Sequence, residues 1–318
     1  MVLAKTNQSF FASNSLTLLL RSTLRESEAL MPTPSTTKYD IDIDDVEYLR
    51  HGDLALLARI VMPKSGGPFP ALVYLHGGAW TENDRTKDGE MLSTLARFGV
   101  TVVSIDFRMP PVAGYPASLA DANNAVRWAK ANSERLRTSP DLVGIMGASS
   151  GGHQAVLAGM RPGDPRYTAT PAVGAFDASV PYVVAFWPVI DPLGRYHYAK
   201  DLERASERPE FTANIIAAHD AYWGSEDAMS EGSPVQILER GENIATPPIF
   251  YVGSEVDQSH PYPHLDRFVT SYRARGGRVD LHLTETPAQG WLATDPEGRS
   301  SLALFEQLQS FLLGADTR

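Results

Sequence analysis

One stretch of this 318-residue chain carries the strongest structural signal: residues 142–158 read LVGIMGASSGGHQAVLA. The apolar run Leu142–Met146 is followed by small residues and then by an apolar pattern at helical spacing, which is typical of a buried strand, a sharp turn and a helix. The turn has the spacing G-x-S-x-G around Ser149. Such a turn lifts a serine hydroxyl above the sheet, and its neighbours must be small because the backbone folds back on itself. We predict that Ser149 is a nucleophile; the alternative is a glycine-rich turn with an incidental serine.

A second glycine-containing turn, His76-Gly77-Gly78-Ala79-Trp80, ends the apolar run Ala71–Leu75. Paired glycines let backbone N–H groups approach a developing oxyanion closely. The turn precedes the Ser149 turn in the chain, where the other half of an oxyanion hole is expected. We expect His76 to brace this loop rather than to transfer protons. The candidate oxyanion-hole donors are the amides of Gly77, Gly78, Ala79 and Ser150.

Short apolar runs alternate with helical patterns over most of the chain. Runs of this kind are typical of parallel strands that are buried on both faces. The alternation predicts an α/β fold with a doubly wound, mostly parallel sheet. An antiparallel ribbon with an acidic, exposed edge is predicted before these strands, from Tyr39–Leu49 and Leu54–Met62. The six predicted parallel strands are 71–75, 100–105, 142–146, 182–186, 249–252 and 279–283, and the main helices are about 88–98, 116–132, 150–160, 262–275 and 299–313.

The domain organisation follows from composition and spacing. Residues 1–37 are predicted to be an N-terminal extension that ends in the Pro- and Ser/Thr-containing linker 31–37, because proline lacks an amide donor and Ser/Thr favour turns. A frayed helix or a transit-like peptide would both fit its start. Residues 38–318 are predicted to form a single domain, with a small helical cap inserted at 192–246, because a connection this long between strands is usually a lid.

Composition excludes several functional classes. The chain has no cysteine, which excludes disulfides, thiolate zinc sites, iron–sulfur clusters and cysteine nucleophiles. Its net charge of −10 disfavours nucleic-acid binding as the main activity, since such proteins carry a basic face. No apolar run approaches a membrane span. No histidine has metal-ligand spacing, so we predict no metal and no cofactor. We expect a cytoplasmic protein that acts on a small molecule, with a homodimer as one option.

The two turns resemble those of the α/β-hydrolase fold, and more narrowly its hormone-sensitive-lipase and esterase branch, which includes feruloyl-esterase-like and kynurenine-formamidase-like enzymes. The resemblance covers residues 68–313. Further matching segments are Asp106-Phe107-Arg108-Met109, Tyr115-Pro116 through Asp121 to Val126-Arg127-Trp128, Ser149-Ser150-Gly151-Gly152-His153 and Ser233-Pro234-Val235.

The resemblance implies a catalytic triad in the chain order Ser, Asp, His. Asp257 takes the place of the acid, in the segment that follows the strand 249–252; the alternative is a solvated loop carboxylate. The histidine is expected after the last strand, in a turn whose sequence in this chain is Thr286-Pro287-Ala288-Gln289-Gly290-Trp291. Gln289 stands where the histidine belongs. A neutral amide cannot take and return a proton, so the triad is predicted to be non-standard.

Another histidine could replace the missing base. His260 is the best candidate, because it follows Asp257 by three residues on the same loop. It could instead be a rim or cap contact. An unusual arrangement based on Gln289 stays open as well. The remaining histidines, which the sequence does not single out as bases, are His51, His76, His153, His197, His219, His264 and His282.

Three functions fit these residues. The first is hydrolysis of an ester, lactone or amide of a small, partly apolar or aromatic molecule. The second is a non-hydrolytic isomerase, cyclase or lyase that uses the oxyanion hole for an enolate or alkoxide. The third is a catalytically inactive ligand-binding protein, because the fold alone does not specify which of these functions a protein has. Aromatic side chains are expected to line the pocket. They are Trp80, Trp187, Tyr222, Trp223 and Trp291.

Overall fold

The computed structural model describes residues 38–168, 175–205, 209, 211–285 and 291–315. Eight strands in these residues form one sheet in the order β1-β2-β4-β3-β5-β6-β7-β8. Strands β3 to β8 are parallel, and β2 pairs antiparallel with both β1 and β4. The strands are β1 (Ile41–His51), β2 (Leu54–Pro63), β3 (Ala71–Leu75), β4 (Thr101–Ile105), β5 (Val143–Ala148), β6 (Val183–Phe186), β7 (Ile249–Ser254) and β8 (Val279–Thr284).

Helices cover both faces of the sheet, which confirms the predicted doubly wound α/β fold and its antiparallel ribbon. Successive residues of a strand point to opposite faces. In β3, Val73 packs in one apolar cluster with α2, α3 and α8, whereas Leu72 packs in the other with α1 and α10. The helices of the described residues are α1 (Gly89–Arg97), α2 (Ala117–Ala131), α3 (Ser150–Met160), α4 (Pro192–Arg204), α5 (Phe211–Trp223), α6 (Glu226–Glu231), α7 (Pro234–Glu239), α8 (Tyr262–Ala274), α9 (Trp291–Thr294) and α10 (Arg299–Ala315).

The parallel register places the functional loops at one edge of the sheet. Leu75 at the end of β3 pairs with Gly147 of β5, and Ala148 pairs with Phe186 at the end of β6. Phe186 in turn pairs with Val252 of β7. The loops that leave these strands therefore start side by side, as ligand-binding loops do in open α/β sheets.

Four helices, α4 to α7, lie between β6 and β7, in the region predicted as a cap. Asp191 joins this region to the main body. Its side chain accepts hydrogen bonds from the Gly194 amide (3.1 Å) at the start of α4 and from the Ser233 hydroxyl (2.8 Å). It also forms an ion pair with Arg267 of α8 (3.2 Å). A buried carboxylate with this many donors is well compensated, so the helices are held at a defined position above the sheet edge.

Among the described residues, no helix combines the length and the apolar character that crossing a membrane requires.

Candidate active site

Ser149 lies at a sharp turn between β5 and α3. Its backbone has φ 53° and ψ −117°, a conformation that non-glycine residues rarely adopt. The turn is fixed by two hydrogen bonds: the Ser149 amide donates to the Phe186 carbonyl (2.9 Å), and the Ser149 carbonyl accepts from the Val189 amide (3.1 Å). Backbone strain of this kind persists only where the surroundings enforce it. The geometry is that of a nucleophile elbow.

The glycines around Ser149 are required by close backbone contacts. A Cβ atom on Gly147 would lie 2.2 Å from the Gly151 carbonyl oxygen, and one on Gly151 would lie 2.1 Å from the Leu75 carbonyl oxygen. Both distances are far below van der Waals contact. The G-x-S-x-G spacing is therefore explained by the crossing of strand and helix at this turn.

The loop after β3 presents backbone amides beside Ser149. The Gly77 carbonyl accepts hydrogen bonds from Asn83 Nδ2 (3.0 Å) and from the His76 ring nitrogen Nδ1 (2.9 Å). In a trans peptide the carbonyl and the following N–H point in opposite directions, so these bonds orient the Gly78 amide. Gly78 has φ +122°, and a Cβ there would lie 2.4 Å from the Glu82 carbonyl oxygen.

The same loop orients a second amide. The Gly78 carbonyl accepts hydrogen bonds from the Thr81 (2.9 Å) and Glu82 (3.0 Å) amides, which fixes the direction of the Ala79 N–H. Within the part of the chain that the structure describes, the amides of Gly78 and Ala79 donate to no backbone acceptor. Ser150 adds a third donor, because the first residue of a helix has no intrahelical acceptor. These amides are available for an oxyanion.

The structure brings Ser149, His260 and Asp257 together. Ser149 Oγ lies 3.2 Å from His260 Nε2, and His260 Nδ1 lies 2.9 Å from Asp257 Oδ2. Asp257 cannot donate when ionised, so Nδ1 carries the proton and Nε2 is free to accept from the Ser149 hydroxyl. A nucleophile, a base and a group that orients the base are thus in hydrogen-bond contact.

The loop after β7 holds Asp257 and His260 in this relation. Asp257 Oδ1 accepts hydrogen bonds from the amides of Ser259 (2.7 Å) and His260 (3.2 Å). The four-residue turn from Asp257 to His260 places both side chains on the same side of the loop. Side-chain exposure is only 4% for Asp257 and 7% for His260, so little water competes for these hydrogen bonds.

Burial and neighbouring charges set the protonation states of this pair. Burial raises the pKa of Asp257, but the hydrogen bonds and charge of His260 and the two backbone amides outweigh it and leave the pKa below its ordinary value. Burial lowers the pKa of His260, and the nearby Arg195 guanidinium lowers it further, against the opposing effect of Asp257. His260 is therefore neutral at pH 7, as a general base must be.

A cavity of about 790 Å³ opens beside Ser149. One wall is formed by the oxyanion loop and the start of α1, and the facing wall by α5. Its size is within the range of small-molecule sites, which are mostly apolar with few polar groups. Lining residues that bear on the chemistry are Ser149, Trp187, Arg195, Phe211, Ile215 and Leu292.

The predicted aromatic lining is partly wrong. Trp187 lines the cavity. Trp80, in contrast, is 1% exposed and stacks on Tyr222 with ring centroids 5.3 Å apart, while Trp223 packs edge-on against Trp80 at 5.6 Å. These three rings form the apolar core between α5 and the oxyanion loop, because large aromatic surfaces gain most when fully buried. The side chain of Trp291 lies outside the described residues, as does Gln289.

His153 lies one helical turn after Ser149 but is occupied elsewhere. Its Nε2 donates to the Gly232 carbonyl (2.9 Å), and its Nδ1 accepts from Trp80 Nε1 (3.3 Å). Burial lowers the pKa of His153 to about 4. This histidine joins the elbow helix to the inserted helices.

Two further residues of the site were not predicted from sequence. Asn83 orients the Gly78 amide, and Arg195 donates through Nε to the Ser259 carbonyl (2.8 Å). Asn83 follows the glycine turn closely, and that proximity is a usable signal. Nothing in the spacing around Arg195 points to the site.

No cluster of three or more His, Cys, Asp or Glu side chains suited to a metal is found among the described residues.

Taken together, the sheet topology, the strained serine at a strand–helix turn and the loop of free amides define an α/β-hydrolase. More specifically, the chain belongs to the BD-FAE family, whose family model matches residues 59–271. This confirms the resemblance to the esterase branch.

Curated relatives agree with this assignment. The chain is 29% identical over 226 residues to "Esterase LipC" of Mycobacterium tuberculosis, covering 70% of this chain and 53% of the relative. It is 31% identical over 227 residues to "Probable carboxylic ester hydrolase LipM" of the same organism, covering 69% and 51%. The chain therefore spans about half the length of these relatives.

Solved structures show the same fold. An esterase from Pyrobaculum calidifontis superposes with a TM-score of 0.68 at 20% identity, covering 98% of this chain and 96% of that one. Esterase B from Lactobacillus Rhamnosis (HN001) superposes with a TM-score of 0.70 at 18% identity, covering 94% and 93%.

Proposed function

We propose that this protein is a serine carboxylester hydrolase whose catalytic triad is Ser149, His260 and Asp257. The observation that carries the proposal is the continuous hydrogen-bond chain from Ser149 Oγ through His260 to Asp257, beside free amides and an open cavity. The esterase names of the relatives and of the solved structures support the same activity.

Acylation follows from the geometry. His260 Nε2 takes the Ser149 proton as Oγ forms a bond to the ester carbonyl carbon, and the carbonyl π electrons move to its oxygen. The amides of Gly78, Ala79 and Ser150 stabilise that oxyanion. When the intermediate collapses, the bond from carbon to the alcohol oxygen breaks, and His260 returns its proton to the leaving alcohol.

Deacylation repeats these steps with water. His260 removes a proton from water as the water oxygen attacks the acyl carbon, and the bond to Ser149 Oγ then breaks as Oγ regains a proton from His260. Asp257 stays ionised throughout; it holds the imidazole tautomer and stabilises the imidazolium. The lowered pKa of Asp257 is consistent with this role.

The position of His260 supports the first of the three functions considered from sequence. A dead binding protein has no need of a neutral imidazole aimed at a serine hydroxyl. A lyase or isomerase needs a base near substrate, but it does not need the base to face Ser149. The hydrolase therefore accounts for more of the observed contacts than either alternative.

The cavity lining supports a proposed substrate class. A mixed apolar and polar lining suits an ester of a small, partly apolar molecule, with lactones and activated amides as chemically related substrates. Helices α4 to α7 would act as a cap that closes over this cavity. The cytoplasmic location and the homodimer stay predictions from the sequence.

Hydrolysis of 4-nitrophenyl acyl esters tests the proposal. We expect turnover well above buffer, and a serine-directed fluorophosphonate should add to Ser149, as mass spectrometry of the labelled peptide would show. The Ser149→Ala variant, which keeps the cavity, is the matched control. Ester hydrolysis no faster than buffer, together with an unlabelled Ser149, would overturn the proposal.

A further inference from the structure

A buried guanidinium beside the candidate active site makes only one hydrogen bond to the residues that the structure describes. Arg195 lies in the first turn of α4 and is 5% exposed. Its Nε donates to the Ser259 carbonyl (2.8 Å). Neither terminal nitrogen has a hydrogen-bond partner among the described residues, and Nη1 is fully enclosed. Arginine has five N–H donors, so most of this group's hydrogen-bonding capacity is unused.

The described residues place no carboxylate in ion-pair contact with Arg195. The negative charge of Asp257 acts on Arg195, but the oxygens of Asp257 already accept from His260 and from two backbone amides. No ion pair to Arg195 exists within the described ranges. The N-terminus of α4 carries a partial positive charge, which further disfavours a cation in its first turn. Burial lowers the pKa of Arg195 to about 10, which still leaves the group cationic at pH 7.

An uncompensated buried cation is costly, by several kcal/mol in typical proteins. Arg195 lines the cavity that also contains Ser149, the oxyanion loop and Trp187. Among the described residues, the other charged side chains on the cavity wall are Glu82, Lys87 and Asp88, and they lie on the oxyanion-loop side. Asp88 accepts from the Tyr74 hydroxyl (2.6 Å). Arg195 therefore borders the cavity without an ion pair to any carboxylate of the described residues.

We propose that Arg195 binds a carboxylate carried by the substrate, so that the enzyme prefers esters with a free carboxylate over neutral esters of the same shape. This inference rests on the proposed function. A guanidinium N–H forms a strong, charge-assisted hydrogen bond with a carboxylate. With Nε held by Ser259 and Nη1 enclosed, Nη2 is the terminal nitrogen that remains for the ligand. The site would thus select monoesters of dicarboxylic acids or esters of hydroxy acids.

Two substrate pairs distinguish where the carboxylate sits. For the acyl side, mono-4-nitrophenyl adipate is compared with 4-nitrophenyl hexanoate. For the alcohol side, 4-acetoxybenzoate is compared with 4-acetoxybenzamide. We expect kcat/KM to favour the carboxylate in at least one pair by about 10- to 100-fold, the value of a hydrogen bond to a charged group.

The matched variants are Arg195→Met and Arg195→Lys. Methionine should abolish the preference, mainly by raising KM for the anionic ester, whereas lysine should keep part of it. A role limited to supporting Ser259 would lower both members of a pair equally, and that outcome would overturn the proposal. So would a wild-type enzyme that prefers neither carboxylate.

A binding measurement separates this inference from the proposed function. Adipate should raise the melting temperature of the wild type and of Ser149→Ala, and should leave Arg195→Met unchanged. If no ester is hydrolysed but adipate still stabilises through Arg195, the proposed function fails and the carboxylate site stands. If adipate stabilises none of these proteins, the carboxylate site is overturned.

Discussion

His153 and His260 both lie close to Ser149, and they differ in what their two ring nitrogens contact. His153 is close in sequence, but its nitrogens bind the Gly232 carbonyl and the Trp80 indole. His260 is 111 residues away, and its nitrogens bind Asp257 and the Ser149 hydroxyl. Burial lowers the pKa of both.

The difference shows that burial alone does not define a catalytic histidine. His153 is a neutral linker whose partners are both fixed parts of the protein. His260 has one fixed partner that orients it and one that can lose a proton. For the proposed triad, the nature of the second partner, rather than proximity along the chain, therefore separates a structural histidine from a base.

Removing the imidazole of His260 is the largest expected perturbation. We predict that His260→Gln lowers kcat for 4-nitrophenyl butyrate by about 10⁴–10⁶-fold, because His260 is the group that the described residues place in contact with Ser149 to accept its proton. The residual rate should come from the oxyanion hole and binding. Steady-state kinetics, with circular dichroism to confirm folding, would measure the loss.

The control is the same substitution at the other histidine, His153→Gln. Its kcat should stay within about tenfold of the wild type. Equal losses for the two variants would contradict the division into linker and base.

His153 is expected to matter for the stability of the fold rather than for the rate of hydrolysis. We predict that His153→Ala lowers the free energy of unfolding by about 2–4 kcal/mol, because it opens a cavity and leaves the Trp80 indole and the Gly232 carbonyl without partners. Urea denaturation at pH 7 would measure it. His197, whose side chain is 52% exposed, is the control: His197→Ala should change stability by less than about 0.5 kcal/mol. A His153→Ala protein as stable as that control would refute the linker role.

The pH dependence of kcat/KM should report His260. The neutral imidazole is the active form, and its pKa lies below the ordinary 6.5. Activity should therefore be complete at pH 7 and be lost only as the pH falls through that lowered value. Of the two charged groups that shift His260, Asp257 raises the pKa and Arg195 lowers it.

Replacing Arg195 by methionine should accordingly move the acidic limb to higher pH. A limb above pH 6.5 in the wild type, or one that does not move in Arg195→Met, would contradict the assignment of His260 as the base. His153→Gln should leave the limb in place.

The elements of the fold could be read from sequence because local patterns encode them. The apolar runs and the G-x-S-x-G turn located strands and elbow, since their spacing is imposed by backbone contacts such as that of Gly151 with Leu75. Asp257 could be placed by its position after β7.

The base and the pocket lining could not be settled in the same way. Whether His260 faces Ser149 depends on how a four-residue turn folds, and whether Trp80 faces a cavity or a core depends on where α5 packs. Both are properties of tertiary contacts between distant segments, which residue type and spacing do not specify.

The smallest expected effect concerns Gln289, which stands where related enzymes are expected to carry the histidine. Since His260 Nε2 already lies 3.2 Å from Ser149 Oγ, a second imidazole would not be needed to accept the Ser149 hydroxyl proton. We predict that Gln289→His and Gln289→Ala each change kcat/KM for 4-nitrophenyl butyrate by less than about threefold, a difference of under 1 kcal/mol. Introducing Gln289→His into the His260→Gln background is the sharper measurement. Rescue there by more than tenfold would show that a side chain at position 289 reaches Ser149, whereas a large gain in the wild-type background would show that His260 is not the working base.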